Sequence, residues 1–205
     1  MFASRHTWTT LARFSCVLFM LPVLGQFGTD WRFWSSLDGM PESWVYDVTR
    51  GPSGRLILSH GDVKLFSVFD GYKIELHPSP GVNLTIREDA DGKFWALLPT
   101  FDGFQVYESG RWTRLPLPAA KPWATAYERG YFLPWAPGRV LYLSGSGLYE
   151  YDRAAGIARR VQAPEALGPW SALSPASAGG AWVCGAGGAA AVTRNPDGSL
   201  SWKPL

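Results

Sequence analysis

The sequence predicts an all-β fold made of about four repeated blades, each of four antiparallel strands. Three observations carry that prediction. First, a glycine turn followed by a short apolar strand recurs four times. The turns are Gly51-Pro-Ser-Gly54, Asp89-Ala-Asp-Gly92, Ala136-Pro-Gly138 and Ala178-Gly-Gly180, and their last glycines lie 38, 46 and 42 residues apart. Second, a partner set of turns at Gly61, Gly103, Gly147 and Gly188 repeats at 42, 44 and 41 residues. Third, 23 Gly, 16 Pro and 11 Trp among 205 residues suit many short strands joined by tight turns. A period near 42 built of strands and turns alone is that of a β-propeller. Four blades occupy nearly all of the chain after its first residues, so the ring is expected to be incomplete.

Residues 1–25 read as a separate object, a secretory signal peptide. Arg5 and Arg13 make a basic start, and Phe14 to Leu24 is an unbroken run without charge. As a helix that run spans about 16 Å, roughly half a bilayer core. Val23 and Gly25 suit cleavage after Gly25. Removing the segment leaves 17 basic and 17 acidic residues. A neutral mature chain without basic runs offers nothing for nucleic acid or a polybasic membrane contact. It also leaves a single cysteine, Cys184, expected as a small buried thiol rather than half of a disulfide.

The blades are expected at 31–77, 82–118, 126–163 and 170–205. In the first, Leu37 to Ser43 carries Gly and Pro and cannot be regular strand. Trp44–Val48, Arg55–Ser59, Leu65–Phe69 and Tyr72–Leu76 are its strands, the last two joined by an Asp70-Gly71 hairpin turn. The second uses Asn83–Arg87, Lys93–Leu98, Phe104–Tyr107 and Arg111–Leu115. The third uses Gly130–Trp135, Arg139–Leu143, Leu148–Tyr151 and Ile157–Val161. The fourth uses Trp170–Leu173, Ala181–Cys184, Ala189–Thr193 and Leu200–Trp202. Proline at 78, 80, 116, 118, 164 and 169 punctuates the connections. One blade cannot bury two apolar faces alone, so Trp95 and Trp182 are expected between blades.

The first blade also resembles a known repeat. Leu37-Asp-Gly-Met-Pro-Glu-Ser-Trp-Val-Tyr-Asp-Val48, Gly54-Arg-Leu56 and Phe69-Asp-Gly71 are similar to the two-component regulator propeller repeat. Glu88-Asp-Ala-Asp-Gly-Lys-Phe-Trp95, Asp102-Gly-Phe-Gln-Val-Tyr107, Gly147-Leu-Tyr-Glu-Tyr-Asp152 and Gly179-Gly-Ala-Trp182 continue the match through the other blades. The first blade departs in carrying Leu-Ile-Leu where the family favours Trp-Ile-Gly, and the last two blades have loops rich in Ala and Gly. The resemblance implies a periplasmic or secreted sensor propeller, the input part of a histidine kinase or diguanylate cyclase receptor. It implies no catalysis in this chain, because kinase or cyclase chemistry belongs to modules that lie elsewhere. The alternatives are a secreted propeller lyase or hydrolase and a protein-interaction scaffold.

Candidate chemistry is sparse. Outside the leader there are two histidines, His60 and His77, without metal-ligand spacing, so neither metal nor cofactor is expected. Asp89-Ala-Asp-Gly92 has the close carboxylates of a calcium turn, but Arg87 occupies the first ligand position, which leaves an ordinary Asp-Gly turn. His60 sits at a turn, where histidine is ordinarily solvated, though it could also face a ligand. The loops entering each first strand and those between second and third strands share one end of a propeller. That end would gather Asp38, Trp44, His60, Asp62, Asp102, Trp123 and Trp170 as a binding surface for a small molecule, saccharide or peptide. Expected partners beyond that ligand are a downstream signalling module or a second copy, with no nucleic acid and no membrane span in the mature chain.

Overall fold

The sixteen expected strands all form, and the stagger of their hydrogen bonds gathers them into four sheets. The structure is a computed structural model that describes residues 33–97, 103–117, 131–144, 147–176 and 179–205. The leader read in residues 1–25 lies outside them. The chain divides into two compact units, Met1–Trp34 and Ser35–Leu205, and every described strand belongs to the second.

Blade 1 holds β1 (Val45–Arg50), β2 (Leu56–His60), β3 (Leu65–Phe69) and β4 (Ile74–Pro78). Blade 2 holds β5 (Ile86–Glu88), β6 (Phe94–Leu97), β7 (Gly103–Glu108) and β8 (Arg111–Pro116). Blade 3 holds β9 (Phe132–Ala136), β10 (Arg139–Ser144), β11 (Gly147–Asp152) and β12 (Ile157–Arg160). Blade 4 holds β13 (Trp170–Pro175), β14 (Ala181–Gly185), β15 (Gly188–Arg194) and β16 (Leu200–Pro204). In each sheet the strands follow in chain order and pair antiparallel, a four-bladed β-propeller arrangement. Consecutive blades meet at their inner strands: β1 and β2 adjoin β5, β5 adjoins β9, and β9 and β10 adjoin β13. Strand ends moved by at most a few residues from expectation. The fourth strand of blade 1 begins at Ile74 instead of Tyr72, because the Asp70 carboxylate accepts the N–H groups of both Tyr72 and Lys73 and holds them in the turn.

The period-2 alternation sends one set of side chains from each sheet to each neighbour, and three cores result. Ile57, Phe66 and Val68 of blade 1 meet Ile86, Phe94 and Ala96 of blade 2. Trp95, Phe104 and Val106 of blade 2 meet Phe132, Val140, Tyr142 and Tyr151 of blade 3. Leu133, Leu141 and Leu148 of blade 3 meet Leu173, Val183 and Val192 of blade 4. Each of the Val, Leu, Ile and Phe side chains among them contributes about 1.5–3 kcal/mol on burial. Trp95 therefore takes its expected place between blades. Trp182 lies outside these cores and is half-buried, and so is Cys184, which the sequence placed in the interior.

Charge pairs bind the same boundaries. Arg55 of blade 1 pairs with the buried Glu88 of blade 2, Arg153 of blade 3 with Glu108 of blade 2, and Arg194 of blade 4 with Glu150 of blade 3. At the first boundary Gly51 is obligatory, since a Cβ there would lie 1.8 Å from Glu88 Oε2. The Asp-Gly turn at Asp89 is built from within. Its Oδ1 accepts the N–H groups of Asp91 and Lys93 at 2.9 Å, and its Oδ2 accepts Trp95 Nε1–H at 2.7 Å.

Trp95 thus serves both as core and as hydrogen-bond donor. Trp95→Phe keeps the ring but strands a buried carboxylate oxygen, and is expected to cost about 1–3 kcal/mol in urea unfolding. Trp95→Ala is expected to cost about 3–5 kcal/mol. Losses within the roughly 0.5 kcal/mol of surface substitutions would remove Trp95 from the structural core.

Candidate functional site

Two ends of the propeller offer chemistry, and they are built differently. The end expected from the sequence collects the entries to inner strands and the loops between second and third strands. In blade 1 it brings Trp44, His60 and Asp62 together with a residue the sequence reading missed, Glu42. Trp44 precedes β1 and is 53% exposed. Its ring lies flat over Gly61, where an added Cβ would come within 2.5 Å of the indole, and Gly61 N–H donates to Trp44 O at 3.3 Å. Glu42 Oε1 accepts the backbone N–H groups of Asp62 and Val63 at 3.0 and 3.3 Å. Desolvation works against those bonds, yet together with His60 they hold the Glu42 carboxyl below its usual range. The Asp62 side chain is exposed.

His60 is not the solvated turn residue its position suggested. It closes β2 and is only 2% exposed, because β3 and the Glu42–Trp44 segment cover the ring. Nε2 and Ser67 Oγ lie 2.7 Å apart, while Nδ1 has no hydrogen-bond partner and faces Glu42 Oε1 at 3.8 Å. Ser67–His60–Glu42 has the connectivity of a hydrolytic triad. Ser67 Oγ, however, belongs to a residue with no exposed surface in the middle of β3, so a substrate carbonyl has no path to it as the blade is packed. The chain of contacts ties the first strand's approach to the body of the blade. Burial depresses the His60 pKa, with Glu42 opposing it.

The remaining sequence candidates are not part of this blade 1 group. Asp38 caps a single 3-10 turn, Ser36–Asp38, accepting Ser35 N–H at 3.0 Å and Ser35 Oγ–H at 3.1 Å. Trp170 opens β13, half-buried and stacked on Trp202 with ring centroids 6.4 Å apart. Asp102 and Trp123 lie outside the described residues.

The opposite end is where all four inner strands finish, and it holds a cavity of about 640 Å³. Arg50 ends β1, Arg87 lies within β5, Leu133, Pro134 and Trp135 come from β9, and Pro175 ends β13. Glu88 also reaches the wall, but its carboxylate is engaged by Arg55 and Ser53. Arg87 is the unusual member. Its Nε is buried without a hydrogen-bond partner, and its guanidinium stands over the Phe132 ring at 5.9 Å. Burial lowers its pKa, and Asp47 counteracts this only through space. The sequence carries a local signal for it, a lone cation in the middle of an inner strand. A second cleft of about 650 Å³ between the outer strands of blades 3 and 4 is lined by Arg139, Glu150, Asp152 and Arg194, which neutralise one another in ion pairs. Among the described residues no group of three side chains could hold a metal ion, and no helix is long and apolar enough to cross a membrane.

No protein-family model and no curated protein matches the chain. Solved structures do resemble it. A streptogramin B lyase matches with TM-score 0.50 at 17% identity, over 81% of this chain and 56% of the lyase. The extracellular domain of a protein described as a one-component system from B. thetaiotaomicron matches with TM-score 0.49 at 16% identity, over 81% of this chain and 25% of that one. The extracellular domain of a protein described as a hybrid two-component system from the same organism matches with TM-score 0.43 at 10% identity, over 84% and 32%. At these identities the likeness to the lyase establishes the propeller fold and nothing finer. The chain spans a little over half the length of the lyase.

Buried His60 and half-buried His77 set an acid limit on stability. His60 and His77 are both depressed by burial, so the folded state binds fewer protons than the unfolded chain. Stability is therefore expected to be complete above the unfolded histidine pKa of about 6.5 and to fall as pH drops below it. His60→Gln is expected to flatten part of that decline in thermal unfolding followed from pH 7.5 down to pH 5. An unchanged slope would show that His60 is not the group taking up the proton.

Proposed function

We propose that this chain is an extracytoplasmic ligand-recognition propeller, the input part of a signal-transduction receptor of the histidine kinase or diguanylate cyclase kind. The observation that carries the reading is the cavity into which all four inner strands deliver residues. A ligand seated there touches every blade. It can therefore bias how the blades pack, which is what a sensor must convert into a signal to a partner module or a second copy. The DGMP-type loop and its repeats, with the leader-like start, support the receptor context. The propeller lyase is the competing reading, supported by fold alone, and it would require a reactive group in one of the two ends.

The test is a thermal-shift screen of the purified chain against saccharides, short peptides and small organic acids. Hits are then followed by tryptophan fluorescence in the chain and in Trp135→Phe. A compound that raises the melting temperature, loses its fluorescence response in Trp135→Phe and is recovered unchanged is the expected result. Recovery of a cleaved or eliminated product would move the assignment to the lyase. A response that Trp135→Phe leaves intact would place the ligand outside the cavity.

A further inference from the structure

We propose that the cavity at the inner-strand ends is an anion site, selecting an organic carboxylate or phosphate ester through Arg87, with the ligand's apolar body against Leu133, Pro134 and Trp135. The inference deepens the ligand-recognition reading and rests on it. Two observations at Arg87 lead to it. A guanidinium has five donors, and one that is desolvated without an acceptor is costly unless another interaction replaces the lost water. Arg87 approaches that situation: the residue is half-buried, its Nε is buried and unpartnered, and it makes no ion pair among the described residues. Phe132 beneath it stabilises the charge but accepts no hydrogen bond in the guanidinium plane. The edge donors therefore remain available, in a fork that suits the paired oxygens of a carboxylate or phosphate.

The surroundings fit the same ligand. Arg50 lines the cavity as a second cation, and like Arg87 it makes no ion pair among the described residues. Among the described residues of the wall the one acid, Glu88, is held by Arg55 and Ser53, so their net field in the cavity is positive. Leu133, Pro134 and Trp135 supply an apolar wall on the side of blade 3. Trp135 is itself fixed, its Nε1–H donated to Glu150 at 3.1 Å and the Arg194 guanidinium 5.4 Å from its ring centroid. A fixed ring beside an unsatisfied cation is a recognition arrangement for an anion attached to a flat or apolar group. A neutral sugar would leave the guanidinium without its charged partner.

Benzoate, phenyl phosphate and neutral benzamide share one ring and differ in charge and headgroup, and they serve as probes of the intact chain in low-chloride buffer. Binding is read from the Arg87 Nε–H and Trp135 Nε1–H resonances by NMR. The expected result is a downfield shift of Arg87 Nε–H with benzoate or phenyl phosphate, and binding of benzamide weaker by at least about tenfold. The stronger of the two anions identifies a carboxylate or a phosphate ligand. Arg87→Gln is expected to lose at least about tenfold in affinity, Arg87→Lys to lose less, and Arg159→Gln on the outer strand to change nothing. Without ligand, Arg87→Met is expected to raise the thermal midpoint by about 2–4 °C, since it removes a half-buried cation that lacks an ion-pair partner among the described residues. Benzamide binding as tightly as benzoate, or Arg87→Gln binding benzoate normally, would overturn the anion site and leave ligand recognition standing. A lowered midpoint in Arg87→Met would make Arg87 a structural member of the boundary between blades 2 and 3, which also overturns it. No shift at either resonance with any of the three probes would overturn both the anion site and the cavity as the recognition site.

Discussion

A four-stranded sheet of this composition has apolar side chains on both faces and cannot hide them by itself. Everything else in the structure follows from the need for each blade to be covered by the next. The three cores are all between blades, and each draws from the two sheets alike. Trp95, Phe104 and Tyr142 have almost no exposed surface only because a neighbouring sheet lies against them. Val48 and Leu76 lie on the face of blade 1 turned away from blade 2, opposite Leu58 and Ser67 in the register, and are 53% and 46% exposed. The same constraint makes the inner-strand ends meet, and that meeting point is the cavity.

Hydrophobic cover is non-directional, and the polar clamps give the boundaries their alignment. Glu88, Glu108 and Glu150 each accept an arginine from an adjacent blade. On the inner strands Thr49 Oγ1–H donates to Ile86 O and Thr85 Oγ1–H donates to Asp47, both at 2.7 Å and both across the first boundary. Trp112 Nε1–H reaches Pro78 O at 2.6 Å on the outer side. Such bonds fix register and tilt between sheets that would otherwise slide. They also explain the contrast presented by Arg87, which lies in the same ring of boundaries and has no such partner.

The two ends of the propeller differ for a related reason. At the Trp44 end, the chain entering β1 folds back over the blade, where Glu42 accepts the backbone N–H groups of Asp62 and Val63 and His60 Nε2 pairs with Ser67. Most polar groups there are consumed by structure, and only His60 Nδ1 is left without a hydrogen bond among the described residues. At the opposite end the inner strands stop with Arg50 and Arg87 making no ion pair among the described residues, beside an apolar wall. Groups whose hydrogen bonds are complete hold a fold together, and groups left incomplete in a cavity are the ones a ligand can reward.

The sequence by itself determined the strands, the turns and the propeller, because period-2 alternation and positive-φ glycine turns are local requirements. Gly54, Gly92, Gly138 and Gly180 all adopt positive φ where the repeat placed them. It also placed Trp95 in the core, but the same argument placed Trp182 there, and Trp182 lies outside the three cores and is half-buried. It did not reveal that His60 is buried, because the Glu42–Trp44 segment that covers it is brought back by a loop of no regular pattern. Nor did it reveal Asp38 as a cap or Trp170 as the stacking partner of Trp202. The cavity and its cation were decided by tertiary structure alone. Arg50, Arg87, Leu133 and Pro175 are far apart in the chain, and only the convergence of four inner strands puts them around one space.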